Sequence, residues 1–496
     1  MSKYYIGIDN GGSYIKAALY DECGRQIKLE KEPSIKTVTR DGRVELDPEK
    51  LWKANCRCVK RLIRESGIDI SKIECMGVAG QGKGLYIVDK EGKPVRPAIT
   101  SADGRAWEIV KRWKESGVAD KIFDYTYQGL FASHPVSILA WLKQNERTNY
   151  DNIHWVFSMK DFLVYRMTGQ ASADYCNQSG NSYMNLNTGM YEPEIFKLLG
   201  IEEIMEKLPP LKNSDEICGE LTCEAAQELG CRPGIKVMAG MFDVDASALG
   251  MGIIGEKELA IIAGTCGINA YISKKPVCDH SVLMNSYYCI PGYYYIEEGS
   301  NTSAGLLEWV LGVLYPEEAR KSGEDIYKQA DLIVQQQSPD SSSVLFMPFL
   351  YGSALNSRSR GMWAELSPSD GRKEMLRAAY EGIVFTHKWH IERLLKNREL
   401  PDKVRLSGGV SRSSVWTQLF ADILQFPVEI VEDEETGVRG VAMMSGIACS
   451  IYSGYEEAVK KNVLIKKTVY PQREFSEIYK KKYISYLLKA ERMNAI

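Results

Sequence analysis

Two stretches half a chain apart share one plan: an apolar strand, a glycine-bearing turn and a second strand. No other feature constrains the fold as much. The first runs from Tyr4 to Tyr20 and turns at Asp9-Asn10-Gly11-Gly12-Ser13. The second runs from Leu259 to Ile272 and turns at Gly264-Thr265-Cys266-Gly267. A true repeat means two similar halves facing each other, whereas hairpins with Gly turns are common enough that the pattern alone also allows coincidence. At 496 residues the chain can bury more than one core, which excludes a small disulfide scaffold or a lone binding module.

Strand-like segments at Ile73 to Ala79 and Lys236 to Ala239 alternate with helical ones at Leu51 to Ser66 and Val136 to Gln144. The second half keeps the rhythm through Val344 to Phe349, Met375 to Leu395, Val404 to Ser407 and Val415 to Leu424, which predicts an α/β class. Leu208 to Ser214, with its Pro209-Pro210 pair, reads as a loop, and the small residues of Gly240 to Gly255 read as a hinge. Phe475, Tyr479 and Tyr483 of a last helix have the spacing of core packing.

Lys and Arg total 62 against 65 Asp and Glu, so nucleic acid or a membrane surface bound by charge alone is excluded. An anionic substrate has to be held locally. The 12 cysteines are scattered, and Cys56-x-Cys58 lacks a second pair at zinc spacing, so free thiols in a reducing compartment are expected. The strand-like opening lacks a signal peptide's basic start, and Gly440 to Tyr455 falls short of the roughly 20 apolar residues a membrane helix needs. A cytoplasmic location is the expectation.

The Asp9 to Ser13 turn follows a strand, so bare N–H groups, the Ser13 hydroxyl and Lys16 can face a phosphate, with Asp9 on a metal or its water. The competing reading is a hairpin turn stocked with Asp, Asn and Gly for conformational reasons. The second turn strengthens the phosphate reading, because two facing Gly turns grip a polyphosphate from both sides. Gly408-Gly409 ends a strand before a helix starting near Ser413, where a flat ring or phosphate can approach the backbone. Asp243, just beyond a strand, suits the carboxylate that accepts a hydroxyl proton in phosphoryl transfer, while Asp245 reads as a helix cap. Gly80-Gln81-Gly82-Lys83-Gly84 and Ser101-Ala102-Asp103-Gly104-Arg105 supply donors and acceptors for a polyhydroxylated ligand, or else are solvated loops. His387 and His390 lack matching metal ligands and read as packing or surface histidines.

Together these residues resemble the FGGY family of carbohydrate kinases over essentially the whole chain. Asp9-x-Gly11-x-Ser13 with Lys16 is similar to that family's first phosphate turn, and Gly264-Thr265-Cys266-Gly267 to its second. Gly408-Gly409 through Trp416-x-Gln418 and Ala421-Asp422 is similar to its adenosine segment, and Asp243 with Gly250 to its catalytic base. Ser133-His134-Pro135 through Trp141-Leu142-Lys143-Gln144-Asn145 resembles its first signature, with Ile138 where Lys is usual. The resemblance implies an actin-like ATPase fold of two ribonuclease-H-like domains, residues 1–246 and 247–496, with ATP and Mg2+ in the cleft between them. It implies Asp9 and Asp243 as metal-holding residues, and Gly12, Ser13, Lys16, Gly264, Thr265, Cys266, Gly305, Gly408, Gly409 and Ser413 on the nucleotide. Gln81, Lys83, Asp103, His134 and Asp243 fall on the sugar, and a homodimer is usual among relatives. Within the family the segments look most like the L-xylulose branch. The Arg-Glu pair of glycerol kinases is missing beside Gln81, and Lys83 replaces the His of D-xylulose kinases. From Ser353 to Arg360 the family pattern is lost. A rival expectation is an actin-like ATPase that phosphorylates no small molecule, since phosphate turns recur across that fold.

Overall fold

A computed structural model describes residues 3–12, 14–35, 37–38, 43–321, 325–353, 355–356, 358–396, 398–432, 435–493 and 496. Tyr4–Asn10 (β1) is buried along nearly its whole length, which a strand achieves only when both faces are covered. It pairs antiparallel with Tyr14–Asp21 (β2), which pairs antiparallel with Gln26–Pro33 (β3), and on its other edge runs parallel to Ile73–Gly80 (β4). Ile217–Glu220 (β5) and Lys236–Met238 (β6) extend this sheet, β6 parallel to β4 and β5 antiparallel to β6, while Met241–Phe242 (β7) also joins β4.

The second sheet is built from Glu258–Ala263 (β8), Gly267–Ser273 (β9), Met284–Tyr287 (β10), Tyr294–Ser300 (β11), Lys403–Ser407 (β12), Val428–Val431 (β13) and Ile465–Val469 (β14). Its run β11-β9-β8-β12-β13-β14 repeats β3-β2-β1-β4-β6-β5 in order and in strand direction. The expected duplication is therefore a property of two whole sheets. The two halves are of the ribonuclease-H type.

Helix Pro48–Ser66 (α1) starts at Asp47, whose carboxylate accepts from the N–H groups of Glu49 and Lys50, and stops at Gly67 in the left-handed region. Its Leu51, Val59 and Leu62 pack with Ile6 and Ile8. Since strand side chains alternate, Ile6, Ile8 and Asn10 face α1, and Tyr5, Gly7 and Asp9 face away from it. Asn10 and Asn55 of α1 exchange amide hydrogen bonds of 3.1 and 2.9 Å, which confirms the facing.

Asp243–Gly250 (α2), Arg372–Leu395 (α3), Ser414–Leu424 (α4) and Thr436–Ala448 (α5) complete the frame around the site. Although α5 follows β13 of the second sheet, it lies on the first sheet's other face, where a Cβ on Gly7 would overlap the Val438 carbonyl oxygen. α2 and α5 cross with their backbones touching: a Cβ on Gly250 would overlap the carbonyl oxygen of Thr436, and one on Gly440 that of Ala246. Only glycine permits that approach.

The small residues from Gly240 to Gly255, expected as a hinge, include α2, which spans the expected boundary at 246–247. One expectation changes here. Leu211–Lys212, within the expected loop, pairs parallel with Ala173–Asp174. Among the described residues none of the 12 cysteines is in a disulfide, and Tyr479 and Tyr483 are buried in the core. Among the described residues no helix is long and apolar enough to cross a membrane.

If the α2–α5 crossing sets stability, Gly440→Ala should lower unfolding free energy in urea by about 1–3 kcal/mol through overpacking. Gly312→Ala, in a helix where an added Cβ meets nothing within 4 Å, should raise it by about 0.5–1 kcal/mol. Equal midpoints for the two variants would contradict the close crossing.

Candidate active site

Asp9 faces α5, and Lys16, its cross-strand partner on β2, shares that face. Lys16 Nζ lies 2.7 Å from Glu435 Oε2 and 3.9 Å from Asp9 Oδ2, and Lys31 also pairs with Glu435. The expected phosphate cation is thus already tied to carboxylates at the start of α5. Gly437 stands so near that a Cβ there would lie 2.6 Å from Asp9 Oδ2, while Asp9 Oδ1 is buried without a partner among the described residues. Burial pushes the Asp9 carboxyl up to about 6, with Lys16 opposing the rise.

Asp243 is the first residue of α2, placed there because β7 and Phe242 end against β4. Burial, then the charges of Asp9 and Glu297, push its carboxyl up to about 7. A buried carboxylate whose charge is disfavoured by a neighbouring one gains from a cation beside it. Asp245, expected as a cap, instead lies in the helix's first turn and accepts from the Cys289 N–H at 3.1 Å.

On the expected sugar side, Gln81 leaves β4 with its N–H donating to the Asn10 carbonyl at 3.3 Å. Lys83 has φ +63°, and its N–H donates to Asn181 Oδ1 at 3.2 Å. Its ammonium donates to the Gly180 carbonyl and lies 3.0 Å from Met284 Sδ, a residue of the second half. Burial lowers it to about 8, with Glu297 opposing. His134 is fully buried at the head of the helix Pro135–Asn145; Nδ1 meets Ser182 Oγ at 3.2 Å, and Nε2 has no partner among the described residues. Burial, then Lys83, holds this imidazole well below its usual range, so it is neutral and keeps one N–H to donate.

Asp103 departs from its expected role. Its two oxygens accept from Val44 N at 2.7 Å and from Arg105 N, Nε and Nη2 at 2.8–2.9 Å. A carboxylate has about four acceptor sites, and all four are in use. Asp103 is therefore tied to Val44 and Arg105, with its acceptor sites taken up within the protein.

On the nucleotide side, Gly12, Thr265 and Cys266 are exposed; Ser13 lies outside the described residues. The second turn is closed by Gly264 N on the Cys266 carbonyl at 3.2 Å and docked by Gly305 N on the Gly264 carbonyl at 3.0 Å. A Cβ on Gly305 would stand 2.9 Å from Thr265 Cα. Gly408 has φ +93°, and a Cβ there would overlap the Ala263 carbonyl oxygen. Gly409 leaves open space beside it. Ser413 caps α4 by accepting from Trp416 N at 3.0 Å, so its hydroxyl already has a structural task. In the divergent stretch, Ser353 N donates to the Asn356 carbonyl at 3.0 Å, while 354 and 357 lie outside the described residues. His387 is held between Asn269 and Ser303, and His390 pairs with Glu298, so both are core groups.

Sequence reasoning missed Lys160. Fully buried, it pairs with Asp174 at 2.7 Å and with Asp161, and donates to the Ala239 carbonyl at 3.0 Å, fixing the loop that leads to Asp243. A Lys-Asp dipeptide looks like a solvated helix start, and only Asp174, 14 residues on, reveals the triad. It also missed Glu297, whose alternation on β11 resembles any half-exposed strand. Among the described residues no cluster of three or more metal-ligating side chains occurs.

Two ribonuclease-H-type sheets joined by crossed helices, with a Gly turn after the first strand of each and the neighbouring carboxylates Asp9 and Asp243, define a protein of actin-like plan. Comparison narrows this class. Residues 4–250 match the N-terminal domain, and residues 259–449 the C-terminal domain, of the FGGY family of carbohydrate kinases, and the chain belongs to that family. It is 34% identical over 488 residues to an L-xylulose/3-keto-L-gulonate kinase of Escherichia coli, covering 98% of this chain and 96% of that one. It is also 34% identical to a probable L-xylulose kinase of Haemophilus influenzae, covering 98% of each. Among solved structures, a ligand-bound xylulose kinase of Lactobacillus acidophilus superposes with a TM-score of 0.91 at 24% identity over 99% of each chain. A gluconate kinase from the same organism gives 0.92 at 24% identity, over 100% of this chain and 99% of that one. The chain is a sugar kinase, an enzyme that phosphorylates an alcohol group.

Lys160→Met strands two buried carboxylates, so it should cost about 3–5 kcal/mol of stability. Denaturation in urea checks this, and a loss below 1 kcal/mol would remove Lys160 as the anchor of the Asp243 loop.

Proposed function

We propose that the enzyme transfers the γ-phosphoryl of ATP to a primary hydroxyl of a ketopentose, L-xylulose, giving L-xylulose 5-phosphate. The choice of sugar is supported by full-length likeness, at 34% identity, to kinases named for L-xylulose. The transfer chemistry is supported by one observation above all: Asp243 opens α2 beside Asp9, in a cleft between two glycine turns.

Phosphoryl transfer asks the protein for positioning and charge neutralisation, with a single carboxylate to take the hydroxyl proton. Asp243 takes that proton. The unpartnered Asp9 Oδ1 and the neighbouring Asp243 fit Mg2+, which binds through one or two carboxylates, phosphate oxygens and waters. Bound there, Mg2+ neutralises phosphate charge. Backbone N–H groups of Gly12, Gly264, Thr265 and Cys266 face the phosphates, and Lys16 adds positive charge from its place beside Glu435 and Asp9. Gly305 holds the second turn, and Gly408 and Gly409 admit the adenosine, with Ser413 fixing the following helix. Gln81, Lys83 and His134 contact the sugar, and closure of the halves keeps water from the phosphoryl group.

A coupled ADP assay over L- and D-pentuloses, erythritol and 3-keto-L-gulonate tests the assignment. The highest kcat/KM is expected for L-xylulose; a preference for D-xylulose, ribulose, a polyol or the keto-acid would replace it. Asp243→Asn should lower kcat by about 10²–10⁴-fold, the range of general-base catalysis, with the Kd for ATP changed less than about threefold. A variant that keeps most of its sugar-dependent rate would remove Asp243 from the role. EDTA should abolish turnover and added Mg2+ restore it.

A further inference from the structure

Glu297 lies on β11, and its cross-strand partner on β10 is Met284. Directly opposed residues of an antiparallel pair project from the same face. Because Met284 Sδ is 3.0 Å from Lys83 Nζ, Glu297 stands on the face of the second sheet that looks across the cleft at Lys83. Ser286 and Tyr295 are the next facing residues along these strands. An added Cβ on Gly180 would meet Lys83 Nζ, Phe242 Cε1 and Ser286 Cβ, each at 3.8 Å, so Ser286 and the Lys83 ammonium border one space. The neighbouring Glu298 points to the opposite face, where it binds His390 at 2.7 Å and Arg393 at 3.1 Å.

Glu297 Oε2, Ser286 Oγ and Tyr295 OH are all buried, and none has a hydrogen-bond partner among the described residues. From the first half, His134 Nε2 is in the same condition. Buried polar atoms are nearly always partnered, so unpartnered ones on both walls of a cleft mark the place of a ligand rich in hydroxyls. The charges on those walls also choose among such ligands. A ligand carboxylate drawn to Lys83 would meet both Glu297 and Asp243, and like charges repel strongly where water is excluded.

Resting on the sugar-kinase assignment, we propose that Glu297 is a specificity-determining residue supplied by the second half. It accepts a hydroxyl of the sugar opposite Lys83, and its charge favours neutral sugars over sugar acids. The second sheet thereby reads the sugar only when the halves are closed.

The test uses the full-length enzyme and its Glu297→Gln variant, with kcat and KM measured for L-xylulose, 3-keto-L-gulonate and ATP. The substitution should raise the KM for the neutral ketose about 10- to 100-fold, as expected on losing a hydrogen bond to a charged acceptor. The KM for ATP should stay within about twofold, and the ratio of kcat/KM for the sugar acid to that for the neutral sugar should rise at least about tenfold. A sugar KM within twofold of the parent and an unchanged ratio would overturn the proposal. Should Glu297→Gln fail to fold, Glu297→Asp serves: it should raise the sugar KM yet retain the discrimination, and loss of discrimination with the charge intact would equally overturn it. If the parent enzyme prefers another neutral sugar, the L-xylulose assignment fails by itself, and the same ratios measured with that sugar decide the role of Glu297.

Discussion

Two helices from opposite halves touch backbone to backbone, and the rest of the site depends on that contact. Gly250 and Gly440 let α2 and α5 approach until a single methyl group would overlap a carbonyl oxygen. The crossing carries Asp243, at the head of α2, to the end of β1, where Gly437 of α5 presses on Asp9. Such a contact tolerates almost no change in volume.

Charge is distributed unevenly around the pivot, and the unevenness is functional. The charges of the Lys160 triad are paired, the acceptor sites of Asp103 are all in use, and both groups hold loops in place. In the cleft, the carboxyls of Asp9 and Asp243 are pushed up, while Glu297, Ser286 and Tyr295 each keep a buried polar atom with no partner among the described residues. A ligand that supplies such partners is favoured there.

Much of the fold was legible in the sequence because hairpins and glycine turns are local. The turns after β1 and β8 and the Ser413 cap could be read from neighbouring residues alone, as could Asp243 just beyond a strand. Whether a polar side chain is free or occupied is not local. Asp103 looked available until Val44, 59 positions away, and Arg105 filled its acceptor sites. Lys16 looked like an open cation until Glu435, from the far end of the chain, took its ammonium. Lys160 and Glu297 carried no signal, since their partners or empty neighbourhoods come from segments distant in sequence.

The sequence by itself determined the strand-turn-strand repeat, the α/β rhythm, the glycine turns and the place of Asp243 just beyond a strand, since each arises from backbone preferences over a few residues. Only the tertiary structure decided which charges were neutralised, which polar atoms stayed unpartnered and which face of the second sheet confronts the first. Those outcomes follow from the crossing of α2 and α5, which sets residues hundreds of positions apart within hydrogen-bonding distance and withdraws water from between them.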